Sequence, residues 1–256
     1  MVNEIAEQDD FWADNRIVRP NEIKRQLDAE FISELIIAML NGIQQKEQED
    51  INGFYKKYDE VFSERDTIRK EFFATEKVIQ DIFGDDLAKT RWHGKPDFYS
   101  LFLAIYELAK DYHIPSERYD EIKKCLEEFA TQVDLNIRAS EKDKEKSSSF
   151  VRDYVENVEK RSTHKASRQK RYDTARKLLI PFLIARDVRR NFNDEERRIA
   201  WNLSKNKICS LCHMEVTFEN YNLDHKVPHS KGGKTELRNS QITHKVCNIK
   251  KSNKTS

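Results

Sequence analysis

The chain lacks most of the features that mark specialised architectures. No apolar run in its 256 residues approaches the roughly 18–20 that a membrane span needs, so no membrane partner is expected. Glycine (6) and proline (5) are scarce, which excludes collagen-like and mucin-like chains and leaves few helix breakers among many Glu, Lys, Leu and Ile. The N-terminal stretch MVNEIAEQDDFWADNR is acidic and polar. It resembles neither a secretory signal nor an Arg-rich transit peptide, and a cytoplasmic location is expected. Four cysteines are too few for a disulfide scaffold at this length. Three of them lie within 39 positions of one another near the C-terminus, a clustering that in an intracellular protein points to metal.

Net charge is nearly absent too, at +1, but the balance hides a split. Residues 1–135 carry 18 Lys+Arg against 30 Asp+Glu, and residues 136–256 carry 28 against 15. An acidic half joined to a basic half suggests that only the second meets nucleic acid.

What is present is mostly helical periodicity. Asn21 is placed to cap a helix carrying Ile23, Leu27, Phe31, Leu35, Ile36, Met39 and Leu40, which ends at Gly42. A polar stretch with Phe54, Tyr55, Tyr58 and Phe62 covers 47–62. Further helices are predicted over about 63–83, stopping at Gly84, over about 96–112, and from a Ser116 cap to about Val133. Short joins between amphipathic helices indicate one α-helical domain with a core. ASEKDKEKSSS at 139–149 is the expected boundary. Beyond it come two helical stretches, the second kinked or ended by Pro181, with the basic KRSTHKASRQKRY between them. Asn193, with Glu196 three residues later, fits a capping box that opens another helix.

The chemistry lies in 209–251. Cys209 and Cys212 form one C-x-x-C pair, and His244 and Cys247 form an H-x-x-C pair 31 residues later. Each pair can wrap one edge of a tetrahedral ion, so the four residues predict a closed structural Zn²⁺ site. A unit of about 60 residues has little core of its own and needs such a staple. Ordinary buried thiols are the competing explanation, and a hydrophilic sequence with three clustered cysteines argues against it.

Between the pairs stand Leu223-Asp224-His225, Pro228, Gly232-Gly233, Asn239 and Cys247-Asn248. This pattern of C-x-x-C, D-H-x-x-P-x-S-x-G-G, N and H-x-x-C-N-x-x-K resembles the HNH endonuclease family over roughly 190–251. The resemblance implies a ββα-metal fold. The expected fold class is therefore mainly α, a helical N-terminal domain followed by a small zinc-stapled ββα-metal HNH domain. Phosphodiester hydrolysis needs a water stripped of its proton and positive charge near the leaving oxygen. His225 titrates near neutrality and is the expected general base. By the resemblance, Asp224 and Asn248 ligate a catalytic ion, and so few protein ligands suit Mg²⁺ or Mn²⁺. Asn239 matches the middle Asn of the motif, expected to steady the loop and the His225 side chain. His229 reads as a surface or phosphate-contacting residue and His213 as a bystander. Lys226, Lys231, Lys250, Lys251, Arg168, Lys170 and Arg171 are the expected DNA contacts, with Lys254 a further basic position.

The acidic half, with FISELIIAMLNGIQ, FYKKYDEVF and RWHGKPDFYSLFLAIYEL, resembles the helical region of GmrSD-type modification-dependent restriction proteins. That resemblance implies bacterial restriction or antiphage defence. No DGQQR-like nucleotide-binding motif is found, so a nucleotide-binding partner protein would have to be a separate chain. The predicted organisation is an acidic scaffold or interaction domain over 1–138, where a homodimer contact is one option, a charged linker with basic helices over 139–189, and the nuclease domain over 190–256. The predicted function is metal-dependent cleavage of DNA. A zinc-stabilised nucleic-acid-binding module without cleavage is the alternative, and it differs at Asp224, His225 and Asn248.

Overall fold

Long apolar periods with few breakers give a chain that is helical over most of its length. The computed structural model describes residues 1–8, 10–58, 61–159 and 162–252. Lys160 and Arg161 of the basic stretch and Lys254 lie outside the described residues. The chain forms two units, one of residues 1–110 and 117–182, the other of 111–116 and 183–256.

The first unit holds α1 (Val2–Gln8), α2 (Phe11–Asp14), α3 (Pro20–Ile23), α4 (Leu27–Asn41), α5 (Gln48–Tyr58), α6 (Arg65–Phe83), α7 (Lys95–Asp111), α8 (Tyr119–Arg138), α9 (Glu141–Lys144), α10 (Ser149–Glu159) and α11 (Lys165–Leu179). Trp12 anchors its core, with the rings of Phe31, Phe72 and Phe98 at 6.3, 6.0 and 5.7 Å. Burying such a side chain stabilises by about 1.5–3 kcal/mol. α6 ends at Gly84, whose φ of +55° suits glycine.

Two helix predictions need correction. The helix expected from Asn21 to Gly42 is split. Arg19, not Asn21, caps α3, with Pro20 at the first helical position and the Arg19 N–H donating to Glu22 Oε2 at 2.8 Å. Gln26 then takes a left-handed conformation before α4 begins. The polar stretch at 47–62 contains α5, which buries Ile51 and Phe54; the Tyr58 ring lies tilted against those of Phe54 and Phe62 at 4.8 and 4.6 Å. Its apolar side is narrow, so composition alone reads it as polar.

The basic segment is corrected more deeply. Arg168 and Arg171 do not face solvent. Arg168 is 6% exposed; its guanidinium pairs with Glu34, donates to the Gln44 carbonyl at 3.2 Å and stands 4.2 Å over the Tyr99 ring. Arg171 is 1% exposed and donates to the carbonyls of Pro96, Asn157 and Ser162. Buried carbonyls and carboxylates need donors, and these arginines supply them instead of meeting phosphate. Lys170 alone of the three is exposed. α10 packs between α8 and α11, so the units divide after Phe182 rather than at the charge break near 138. Arg168→Ala is expected to destabilise the helical unit by about 3 kcal/mol, the cost of leaving a buried carboxylate short of a partner, and to leave DNA affinity unchanged. Urea unfolding and a binding titration check this. An unchanged midpoint with weakened binding would return Arg168 to the phosphate backbone.

In the second unit, β1 (Tyr112–His113) pairs antiparallel with β2 (Ile184–Ala185). α12 (Asp194–Leu203) follows, opened by the expected box: Asn193 Oδ1 accepts from the Glu196 N–H at 2.8 Å, and the Asn193 N–H donates to Glu196 Oε2 at 2.9 Å. β3 (Tyr221–His225) runs antiparallel to β4 (Ser240–His244), with Tyr221 opposite His244 and Asp224 opposite Gln241. α13 (Lys245–Lys251) starts where β4 ends, which completes a ββα order. The core is small: Phe192, Cys209, Val216, Tyr221, Leu223 and Ile242. Among the described residues no helix is long and apolar enough to cross a membrane.

Candidate active site and metal centre

The Cys/His cluster is built from two local pieces. A bridge between Ile208 and Glu215 closes a tight turn. Within it the Cys209 N–H donates to Met214 O and the His213 N–H to Cys209 O, both at 2.9 Å. His213 itself is exposed, its backbone serving the turn. From the other side, His244 ends β4 and Cys247 lies in the first turn of α13. The ligand atoms of Cys209, Cys212, His244 and Cys247 all lie within 4.8 Å of one another.

These four donors fit zinc. Tetrahedral bonds of about 2.3 Å to sulfur place donors ~3.8 Å apart. His244 Nδ1 is 3.3 Å from Cys212 Sγ and 3.7 Å from Cys247 Sγ. Its Nε2 is 3.0 Å from the Glu215 carbonyl, which fixes Nε2 as the protonated nitrogen and turns the Nδ1 lone pair to the thiols. Burial alone would raise the Cys209 thiol, but the backbone N–H groups of Cys212, His244 and Leu211 bring it down to about 6. Burial and the neighbouring sulfurs push Cys247 up to about 11, a crowding that a divalent cation relieves. Four protein ligands leave no open position, so zinc here would be structural.

The second cluster sits at the end of β3, where the pleat sends Asp224 and His225 to opposite sides. Asp224 Oδ2 accepts from Gln241 Nε2, its cross-strand neighbour, at 2.9 Å and from Lys251 Nζ at 2.8 Å. Lys251 also donates to the His225 carbonyl at 2.5 Å. It is buried, which removes it from the expected surface contacts and makes it the counter-charge of Asp224. Asn248 lies three residues earlier on α13, the spacing of neighbours on one helix face, and α13 packs on β3. Asp224 Oδ1 is used by neither of these bonds, and with Asn248 it would offer the hard oxygen donors that suit Mg²⁺ or Mn²⁺.

His225 packs its ring on Phe192, centroids 4.6 Å apart, and its Nε2 lies 3.0 Å from Thr235 Oγ1. Burial lowers its pKa below the usual 6.5, which favours the neutral ring that a base requires. The loop between β3 and β4 is closed by Asn239. Its Oδ1 accepts from the Val227 N–H at 3.0 Å, and its Nδ2 donates to Val227 O and Lys234 O at 3.1 and 2.9 Å. Among the described residues Asn239 bonds the loop and not the His225 ring, so only half of its expected role is found. Gly233 is required there, because a Cβ would come within 1.8 Å of the Val227 carbonyl. His229 is half-buried with Nε2 2.7 Å from the Asp187 carbonyl, so it ties down the loop rather than facing phosphate. Lys226, Lys231 and Lys250 are exposed.

Residues 208–254 match the HNH endonuclease family. No curated protein and no solved structure matches the chain. These comparisons lend no support to the resemblance between the helical half and GmrSD-type restriction proteins. Within the HNH domain, sequence reasoning did not find the buried role of Lys251, nor the contacts of Thr235. The residues that reach the site from before the domain, Asp187, Arg189 and Phe192, carry no motif. The capping box at Asn193 was the nearest signal to them.

Proposed function

We propose that the chain is a metal-dependent HNH endonuclease that hydrolyses DNA phosphodiester bonds. The observation that carries this is the placing of two neighbours on opposite sides of the end of β3: a half-buried His225, its pKa lowered by burial, and the carboxylate of Asp224, on which Lys251 of α13 closes. In this reading His225 takes the proton of the attacking water. Asp224 and Asn248 would hold Mg²⁺ or Mn²⁺, which supplies positive charge for the leaving oxygen. Asn239 and Gly233 shape the loop, and the exposed Lys226, Lys231 and Lys250 meet the phosphate backbone in a salt-sensitive way. Bacterial restriction or antiphage defence is the setting we infer, resting on the helical resemblance alone.

One observation favours a second reading. Lys251 already neutralises Asp224 Oδ2, as it would in a zinc-stabilised nucleic-acid-binding module without cleavage. Supercoiled plasmid incubated with the protein and Mg²⁺ or Mn²⁺ separates the two. Relaxed circles are expected. Binding without cutting, on plain, modified and phage DNA alike, would support the binding module. A preference for modified phage DNA over plain DNA would support the defence setting.

A further inference from the structure

The HNH match begins at Ile208, yet the contacts that hold His225 begin about twenty residues earlier in the chain. Thr235 Oγ1 touches two groups, the Arg189 carbonyl and His225 Nε2. A carbonyl only accepts, so the single hydroxyl proton of Thr235 goes to Arg189 O. What Thr235 then offers His225 is a lone pair, and the imidazole must present Nε2–H to it. The proton is thereby placed on Nε2, and Nδ1 carries the lone pair.

Thr235 is held firmly enough to impose this. It is 1% exposed, its N–H donates to Asp187 Oδ2 at 2.8 Å, and its carbonyl accepts from Arg189 Nη2 at 2.6 Å. The other arm of Arg189 pairs with Glu196 Oε1 at 3.0 Å, the same Glu196 whose N–H and carboxylate close the α12 capping box. The segment 187–192 therefore grips the β3–β4 loop from Asp187 and Arg189 and covers one face of the His225 ring with Phe192.

We propose that Thr235, braced by Arg189 and Asp187, is a positioning residue that sets the tautomer of His225 and leaves Nδ1 as the proton-accepting nitrogen. Its effect on cleavage rests on the nuclease reading; the tautomer itself does not. A base histidine with the wrong tautomer presents an N–H where a lone pair is needed, and the loss falls on kcat rather than on KM.

The test uses the full chain with ¹⁵N-labelled histidine. In the wild type at neutral pH, Nδ1 of His225 is expected to resonate as an unprotonated nitrogen and Nε2 as a protonated one. Thr235→Val should lose that pattern and cut DNA about 10–100-fold more slowly, the scale seen when a partner that orients a functional histidine is removed. Thr235→Ser should restore both. A wild-type His225 protonated on Nδ1 overturns the proposal whether or not the variants fold. So does a folded Thr235→Val that keeps the wild-type pattern and rate, or a Thr235→Ser that restores neither. If the nitrogen pattern collapses in Thr235→Val while the wild type cuts no DNA, the tautomer assignment is upheld and the nuclease reading falls.

Discussion

His225→Ala is expected to slow plasmid nicking by about 10²–10⁴-fold, the usual contribution of a positioned general base. The size follows from what the ring does and what nothing nearby replaces. His229 has its ring centroid 6.3 Å from that of His225 and is tied in its own place by Nε2 against the Asp187 carbonyl, so its ring does not fill the position that His225 leaves. Lys251 donates to Asp224 and to the His225 carbonyl, so it does not offer a free amine as base. Thr235 gives its proton to Arg189 O. The structural cost of the substitution is modest in comparison, because the ring is only half-buried and its main packing partner is Phe192. Zinc content and helical circular dichroism should therefore match the wild type while the rate of relaxed-circle formation collapses. Nicking that persists undiminished in the variant, in Mg²⁺ and in Mn²⁺, would remove His225 as the base.

Features set by near neighbours were legible in the sequence. The zinc ligands come as two pairs of close spacing, and each pair is brought together by one turn or one strand end. Asp224 and His225 are adjacent, and the two residues of the Asn193–Glu196 box are three positions apart. α6, α7 and α8 follow from apolar periodicity, and Gly84 stops α6 where a positive φ is needed. What was not legible depends on distant partners. A buried arginine and a DNA-contacting arginine have the same letter, and the Glu34 that decides the matter for Arg168 lies 134 positions away. Lys251 is separated from Asp224 by 27 positions and looks, in sequence, like any lysine of a basic tail. The two-residue strands β1 and β2 are too short to show a period, so nothing announced that 111–116 belongs with 183–256. Thr235 and Arg189 are 46 positions apart, and their contacts became visible only with the loop folded.

Removing zinc is expected to unfold the second unit while the first stays folded. Among the described residues the buried cluster of this unit has six members, few for its size, and a structural zinc site contributes about 10–16 kcal/mol of apparent binding free energy in small zinc-dependent folds. One zinc per chain should be found in purified protein. A strong chelator, or Cys209→Ser, should remove it and abolish amide hydrogen-exchange protection across 208–251. Protection in α4, α6, α7 and α8 should persist, because their aromatic core contains none of the ligands. Nicking should be lost with the zinc even though no ligand takes part in the chemistry. His244 ends β4, the strand that supplies Gln241 to Asp224, and Cys247 begins the turn of α13 that carries Asn248 and Lys251. Releasing those two ligands frees the helix from the strand pair, and Asp224 loses its neighbours together. A zinc-free protein whose second unit keeps its exchange protection, with Cys209→Ser as stable as the wild type, would show that the thiols are ordinary core residues. In that case the placement of α13 would have to come from its packing on β3 and β4 and from Lys251, which bonds Asp224 and the His225 carbonyl.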